Sequence, residues 1–412
     1  MGDSKILLFM RFILLAGSLL MSIGMLAQTS DKLVARFTFK GCKVTDESGN
    51  GSTAVLVGDS LCSCGVNDQS LVFNDRKTAL LLAGPLLDLF TTSDFSVSFY
   101  FKPKATSLGG AQVILAKQIN CSANRAFWVR YNPLSKKIAS GISENDTLSA
   151  VVTADLNKNA CWQYITLVRS NKAYSIYVDG ILKDTRSTAA RLNLTSATPF
   201  KVGEPICPLD RGLIGELDEL RFHSKALTQD EITRFNLHPD RLVNGDTLIY
   251  LGSSFQTQIT RSCATLFRWD GDGIARPDTS ATLITPLASQ TYRLSMTHSD
   301  GCVATDTIAV KVIDPETLDC DNIFLPNAFT PYNTQGRNDR FGISNPFAVR
   351  DFLSFEVFDR WGGKVFSAVD QFDSWDGFFN GQSVNPGMYL YRLRYSCKGN
   401  ERVKSGNLML LK

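Results

Sequence analysis

Tyr174-Ser175-Ile176-Tyr177-Val178-Asp179-Gly180-Ile181-Leu182 is the stretch that decides the fold class. Large side chains recur at every second position of its first arm, the period of a strand with one buried face. Asp179-Gly180 supplies the dipeptide that a type I′ hairpin favours, because both central residues of that turn need positive φ. Working outward, Val34-Ala35-Arg36-Phe37-Thr38-Phe39, Phe95-Ser96-Val97-Ser98-Phe99-Tyr100-Phe101 and Tyr164-Ile165-Thr166-Leu167-Val168 alternate in the same way. Each predicts a strand with one apolar face. Such runs, broken by Gly, Asn, Asp and Ser over 33–222, predict an all-β sandwich. One short helix closes the region, where Thr228 and Glu231 form a capping box ahead of Ile232 and Phe235.

Further along, Pro239 marks a linker, and a second β pattern follows with Tyr292-Arg293-Leu294-Ser295-Met296 and Asp306-Thr307-Ile308-Ala309-Val310-Lys311-Val312. Asp314-Pro315-Glu316 is the next linker. In the third region, 352–359 and 364–366 flank Trp361-Gly362-Gly363 as a hairpin. Tyr389, Tyr391, Leu393 and Tyr395 share one side of a strand and predict a packed sheet face.

The chain has 412 residues, enough for two or three cores. Its net charge of +3, from 43 basic and 40 acidic residues, gives no global field for nucleic acid or acidic lipid. Lys5 and Arg11, an apolar run over 12–26 and Ala27 before Gln28 read as a signal peptide over 1–27. A retained anchor is the competing reading, but Arg11 interrupts the apolar run. No cysteine precedes Cys42, so lipoprotein acylation is excluded.

Ten cysteines partition evenly: Cys42, Cys62, Cys64, Cys121, Cys161 and Cys207 in the first region, Cys263 and Cys302 in the second, Cys320 and Cys397 in the third. Even counts in an exported chain predict disulfides confined within domains. Pairing among the first six stays open. Cys263 with Cys302, and Cys320 with Cys397, would close loops of roughly 40 and 80 residues, about 4 kcal/mol each on a chain-entropy account.

With these residues placed, three resemblances follow. The first region resembles a laminin-G-like jelly roll of the concanavalin A-like superfamily. It carries Asp46-Glu47-Ser48-Gly49-Asn50-Gly51, Leu71-Val72-Phe73-Asn74, Trp162-Gln163-Tyr164-Ile165, Tyr177-Val178-Asp179-Gly180 and Gly215-Glu216-Leu217-Asp218-Glu219-Leu220-Arg221-Phe222. The second is similar to small Ig-like or polycystic-kidney-disease-like modules, with Trp269-Asp270-Gly271-Asp272-Gly273 as a shortened signature. The third carries Pro326-Asn327-Ala328-Phe329-Thr330-Pro331, Asn338-Asp339, Arg360-Trp361-Gly362, Trp375-Asp376-Gly377 and Tyr389. It resembles the gliding-motility-associated C-terminal domain, the type B sorting signal that type IX secretion systems of Bacteroidetes recognise. Relatives read Pro-Asn-Gly-Asp-Gly where this chain has Pro331-Tyr332-Asn333-Thr334-Gln335-Gly336-Arg337. The expected architecture is therefore a signal peptide (1–27), a jelly roll (31–238) and two smaller Ig-like β-sandwiches (241–315 and 320–412), the last being the sorting domain.

The resemblance implies export to the cell exterior, contact with the type IX machinery, and association with the outer-membrane surface. Its concanavalin-like part implies capture of a glycan or an extracellular protein. The same fold hosts β-glucanases, which set two carboxyl groups about 5 Å apart on one sheet face in Glu-x-Asp-x-x-Glu or Glu-x-Asp-x-Glu spacing. Here Glu216 and Asp218 are followed by Leu220 or Arg221 at the acid position, so the general acid is missing and no enzyme is expected. A carbohydrate-active enzyme with another site, or a structural part of the gliding or surface layer, are the alternatives. Gly-x-Ser-x-Gly and His-Glu-x-x-His are absent from the sequence, and His223 and His238 are expected in solvent beside the helix. By resemblance a structural calcium ion would be held by Asp46, Asn50 and Asp218, against which stand Asx turns and backbone pairing. Alternation puts Trp128 and Arg130 on one face of a strand and Tyr131 on the other, with Trp128 expected in the core.

Overall fold

The computed structural model describes residues 32–88, 93–314, 317–331, 338–349 and 351–411. The expected signal peptide and the 332–337 turn lie outside the described residues. Two β-sheets build the jelly roll. The first sheet runs in the order β13 (Ile181–Ser187), β12 (Ala173–Val178), β11 (Gln163–Ser170), β6 (Phe95–Pro103), β15 (Ile214–His223), β4 (Gln69–Asn74), β3 (Cys62–Cys64), with β1 (Leu33–Phe37) also on β15. The second runs β10 (Ser149–Asp155), β9 (Lys137–Ser143), β8 (Ala126–Asn132), β7 (Gln112–Lys117), β14 (Phe200–Val202), β5 (Thr78–Ala83), β2 (Thr53–Gly58). Phe37, Phe73, Phe99 and Phe101 of the first sheet and Leu80, Leu115, Phe127 and Phe200 of the second belong to one buried cluster. Each such side chain taken out of water contributes roughly 1.5–3 kcal/mol.

The hairpin forms as its dipeptide predicts: Val178 faces Ile181, and φ is 52° at Asp179 and 81° at Gly180. The capping box forms at the helix Gln229–Phe235, with Thr228 accepting from the Glu231 amide and Glu231 accepting from the Thr228 amide. β6 departs from its alternating sequence, since Ser96, Ser98, Tyr100 and Lys102 are buried like the phenylalanines between them. Leu227 and Ile232 cover that face, in a cluster with Tyr100, Trp162 and Tyr164.

The chain divides into two compact units. One holds the residues through 241 together with 260–265 and 296–305; the other holds 242–259, 266–295 and 306–412. The stretch 241–315, expected as a module of its own, is thus shared out. Its strands β16 (Thr247–Tyr250), β21 (Val303–Ile313), β20 (Gln290–His298) and β18 (Ala264–Asp270) form one sheet in that order, and β17 (Phe255–Gln256) pairs with β19 (Leu283–Ile284). The last ninety residues build a sheet in the order β22 (Ala328–Phe329), β30 (Asn400–Leu410), β29 (Gly387–Cys397), β24 (Asp351–Phe358), β25 (Lys364–Ser367). Two short ladders accompany it, β23 (Phe341–Gly342) with β26 (Ser374–Trp375) and β27 (Phe378–Phe379) with β28 (Gln382–Ser383). Their core is Phe329, Phe341, Phe355, Trp375, Tyr389, Tyr391, Leu393 and Tyr395.

The disulfides correct one expectation. Cys263 and Cys302 do not bond to each other; Cys263 bonds to Cys64 and Cys302 to Cys161. The physical reason is that 260–265 and 296–305 pack within the first unit, where Cys64 and Cys161 already sit. Neighbouring β3 residues two apart share a face, yet Cys62 and Cys64 take different partners, Cys62 bonding to Cys42. Cys121 bonds to Cys207 and Cys320 to Cys397.

Candidate functional site

The carboxylates of β15 are set by a bulge. Asp218 faces Tyr100 while Arg221 faces Ser98, which leaves one extra residue on β15, and Glu219 takes φ 49°. On the other side β15 passes at this point from β4, paired as far as Leu217, to β1, paired from Leu220. Glu216 accepts from the Ser70 hydroxyl at 2.7 Å and lies 3.6 Å from Lys102 Nζ. Asp218 accepts from the amides of Val66 (2.7 Å), Asn67 (3.3 Å) and Glu219 (2.7 Å). Glu219 binds Arg36 at 3.1 Å, Arg221 at 2.6 Å and Asn67 Nδ2 at 2.9 Å. Burial, with the Glu219 charge second, pushes the Asp218 carboxyl up to about 7. Burial also opposes ionisation of Glu219, but Arg221, Asn67 and Arg36 outweigh it and hold that carboxyl below its ordinary value. Every carboxylate is engaged by a neighbour, and Leu220, at one of the two acid positions, is buried.

The expected calcium ligands fall into two hydrogen-bonded sets. Asp46 accepts from the amides of Arg36 (3.0 Å), Ser48 (2.9 Å) and Ser52 (3.0 Å). Against the opposing effect of burial, these amides hold its carboxyl below the usual range. Asn50 turns its NH2 toward the carbonyls of Leu33 and Val34, at 2.7 and 3.2 Å. Asp218 instead belongs to the 65–67 loop. A calcium cradle needs six to eight oxygens converging on one point; Asp46 and Asn50 meet at Ser48 while Asp218 shares no hydrogen-bond partner with either, and the amide and NH2 geometry points donors where oxygens are required. The residues do not fit the ion.

Sequence reasoning missed a polar chain in the first unit, in which Lys102, His298 and Asp240 are buried and Asp300 is at the surface. Lys102 Nζ lies 2.7 Å from Asp300 and 3.3 Å from His298 Nδ1, and His298 Nε2 lies 3.1 Å from Asp240. Asp300 is held below its ordinary value because Lys102 and the Cys302 amide outweigh the opposing effect of burial. Its members lie up to 198 residues apart, from Lys102 to Asp300, so no local pattern marked them. His223 corrects another expectation: it is buried, stacked on Phe235 with ring centroids 5.5 Å apart, because the helix folds back over β15. His238 is exposed as expected.

Trp128 also departs from expectation. Tyr131 is in the core, while Trp128 and Arg130 face outward from the second sheet, as alternation requires. Trp128 lies opposite Gly141, where any Cβ would run into indole Cε2 and Cζ2. Arg130 stacks 4.5 Å from the indole centroid and pairs with Asp210 at 3.0 Å. Beside them is a pocket of about 210 Å³, lined among others by Gln118, Trp128, Ser143, Val151 and the Cys121–Cys207 disulfide.

The sorting-motif residues divide by role. Phe329 and Trp375 are in the core, with centroids 5.4 Å apart, and Trp375 meets Tyr389 edge-on at 5.1 Å. Trp375 Nε1 donates to the Phe378 carbonyl at 2.9 Å, and Asp376 accepts from the Phe378 amide at 3.0 Å. A Cβ on Gly377 would come within 2.8 Å of Pro331, which explains the glycine. The Thr330 amide donates to the Asn338 carbonyl at 2.7 Å, the Met409 amide to the Asn327 carbonyl at 2.8 Å. Pro326 precedes and Asp339 follows these pairings. Asp359 accepts from the amides of Trp361 (2.8 Å) and Gly363 (2.7 Å), folding the turn that holds Arg360 and Gly362 and leaves Trp361 87% exposed.

Residues 74–233 match the concanavalin A-like lectin/glucanases superfamily, and residues 323–410 match the type IX secretion signal domain. No protein of curated function matches the chain. Among solved structures, domain 4 of AbnA, a GH43 extracellular arabinanase from Geobacillus stearothermophilus in complex with arabinotriose, is 19% identical. It covers 50% of this chain and 98% of its own at TM-score 0.37. Botulinum neurotoxin type C, whose cell entry depends on two ganglioside molecules, is 12% identical, with 93% and 95% covered at TM-score 0.42. The binding domain of Paraclostridial Mosquitocidal Protein 1 is 12% identical, with 90% and 89% covered at TM-score 0.43. The chain therefore carries a concanavalin A-like domain followed by a type IX secretion signal domain.

Proposed function

We propose that the protein is an exported, non-catalytic binding protein of the cell exterior. Its jelly roll captures a glycan or an extracellular protein, and its C-terminal domain delivers it through the type IX machinery to the outer-membrane surface. The observation that carries this reading is the order of the two matched domains, a concanavalin A-like fold ahead of a secretion signal. Non-catalytic action is supported by β15, where Glu216, Asp218 and Glu219 are each held by neighbours rather than left facing a cleft. Binding in this reading needs no calcium, so EDTA leaves it unchanged. Among the described residues no helix is long and apolar enough to cross a membrane.

Export is tested by expressing the full chain in a type IX-competent host and in its secretion-deficient counterpart, then adding protease to intact cells. Loss of the protein from the competent cells alone is expected; equal surface exposure in both strains refutes the route. Catalysis is tested by incubating the full chain with algal and plant polysaccharides. New reducing ends that disappear in Glu216→Gln would replace the binding role with a hydrolytic one.

A further inference from the structure

We infer that the pocket beside Trp128 is a subsite for one neutral sugar residue, a proposal that rests on the binding role above and names its ligand class. The pocket of about 210 Å³ is smaller than the roughly 300–1,000 Å³ of ordinary small-molecule sites, a size for one ring of a longer chain. Trp128 and Val151 give it an apolar side, and Val151 is 45% exposed there. The polar side is unsatisfied. Gln118 spends Nε2 on the Asn120 carbonyl at 2.7 Å, but its Oε1 is buried with no partner, and so is the Ser143 hydroxyl. Buried acceptors and hydroxyls are rarely left so, because their lost hydration is not returned. Both side chains line the pocket, and once each turns its unpartnered oxygen into it the hydroxyls of a bound ring answer both, one donating to Gln118 Oε1 and another exchanging a hydrogen bond with Ser143.

Charge selects a neutral ligand. Arg130 is the one charged residue among those lining the pocket, and its charge is already paired with Asp210 at 3.0 Å. The walls are fixed in advance: Trp128 is seated over Gly141 by the β8–β9 register, and Cys121–Cys207 closes one end. Such preorganisation suits a ligand that gains little per contact.

The test is calorimetric titration of the purified full chain with cellotriose, laminaritriose, xylotriose, mannotriose and trigalacturonic acid. At least one neutral trisaccharide is expected to bind and the acidic one not. Trp128→Ala and Gln118→Ala are each expected to weaken that binding at least tenfold. Val151→Arg, at an exposed position that leaves the core alone, is expected to block it even if Trp128→Ala misfolds. Unchanged binding by folded Gln118→Ala and Val151→Arg would move the ligand elsewhere and overturn the subsite while leaving the binding role intact. Preference for trigalacturonic acid would overturn the neutral class, and no heat with any trisaccharide would overturn the subsite.

Discussion

Asp218 is wholly buried and accepts three amides, yet its carboxyl is pushed up to about 7 from 3.8. Between those values the folded state keeps a proton that the unfolded chain has released, so stability grows as pH falls through that window. Glu219, Asp46 and Asp300 are held below their ordinary values, so their contribution is complete above those values and is lost as pH falls through the folded ones. Thermal unfolding followed against pH is therefore expected to show a maximum near about pH 5. Asp218→Asn should remove the alkaline slope and keep the acid one; an alkaline slope that survives the substitution assigns it to another group. Gly65 gives a second residue-level test. A Cβ there would lie 2.5 Å from Asp218 Oδ2 and 2.7 Å from the Ser70 amide nitrogen. Gly65→Ala should lower stability by about 1–3 kcal/mol in denaturant titrations. The sequence showed Asp218 as a candidate ligand but not its role, since burial and amide partners from 65–67 are set by residues about 150 positions away.

At the scale of elements, what was local was legible. The Asp179-Gly180 hairpin and the Thr228–Glu231 capping box depend on a few adjacent residues, and both formed where their residues stood. Thr228→Ala should cost about 1 kcal/mol of stability by thermal unfolding. The two-sided burial of β6 was not legible, because Ser96 and Ser98 look like a solvent face until Leu227 and Ile232 are known to cover that sheet. Outward Trp128 escaped for the opposite reason: alternation gave its face correctly but not which face was the core. The two motif tryptophans of the last region separate by the same logic. Trp375 is 1% exposed and Trp361 87%. Trp375→Ala should destabilise by about 3–5 kcal/mol, and Trp361→Ala by under about 0.5 kcal/mol. Comparable losses from both would show that the exposed hairpin turn is packed in solution.

Across the whole molecule, the three-region reading found the two matched domains, while the stretch between them is shared between the two compact units. Pairing cysteines by proximity in sequence failed because 260–265 and 296–305 belong to the first unit. Replacing Cys161 and Cys302 with serine, a pair 141 residues apart, should cost about 5 kcal/mol on the chain-entropy account, read as a lower melting temperature of the oxidised protein. The same spacing governs how the polypeptide matures. Cys64 waits for a partner 199 residues downstream while Cys62, two positions earlier, finds Cys42 only 20 residues away. A chain threaded amino-end first into an oxidising compartment would thus present Cys64 and Cys161 as idle thiols for much of its synthesis. Correct pairing then requires that these two thiols stay unpaired, or be re-paired, until the later segments arrive.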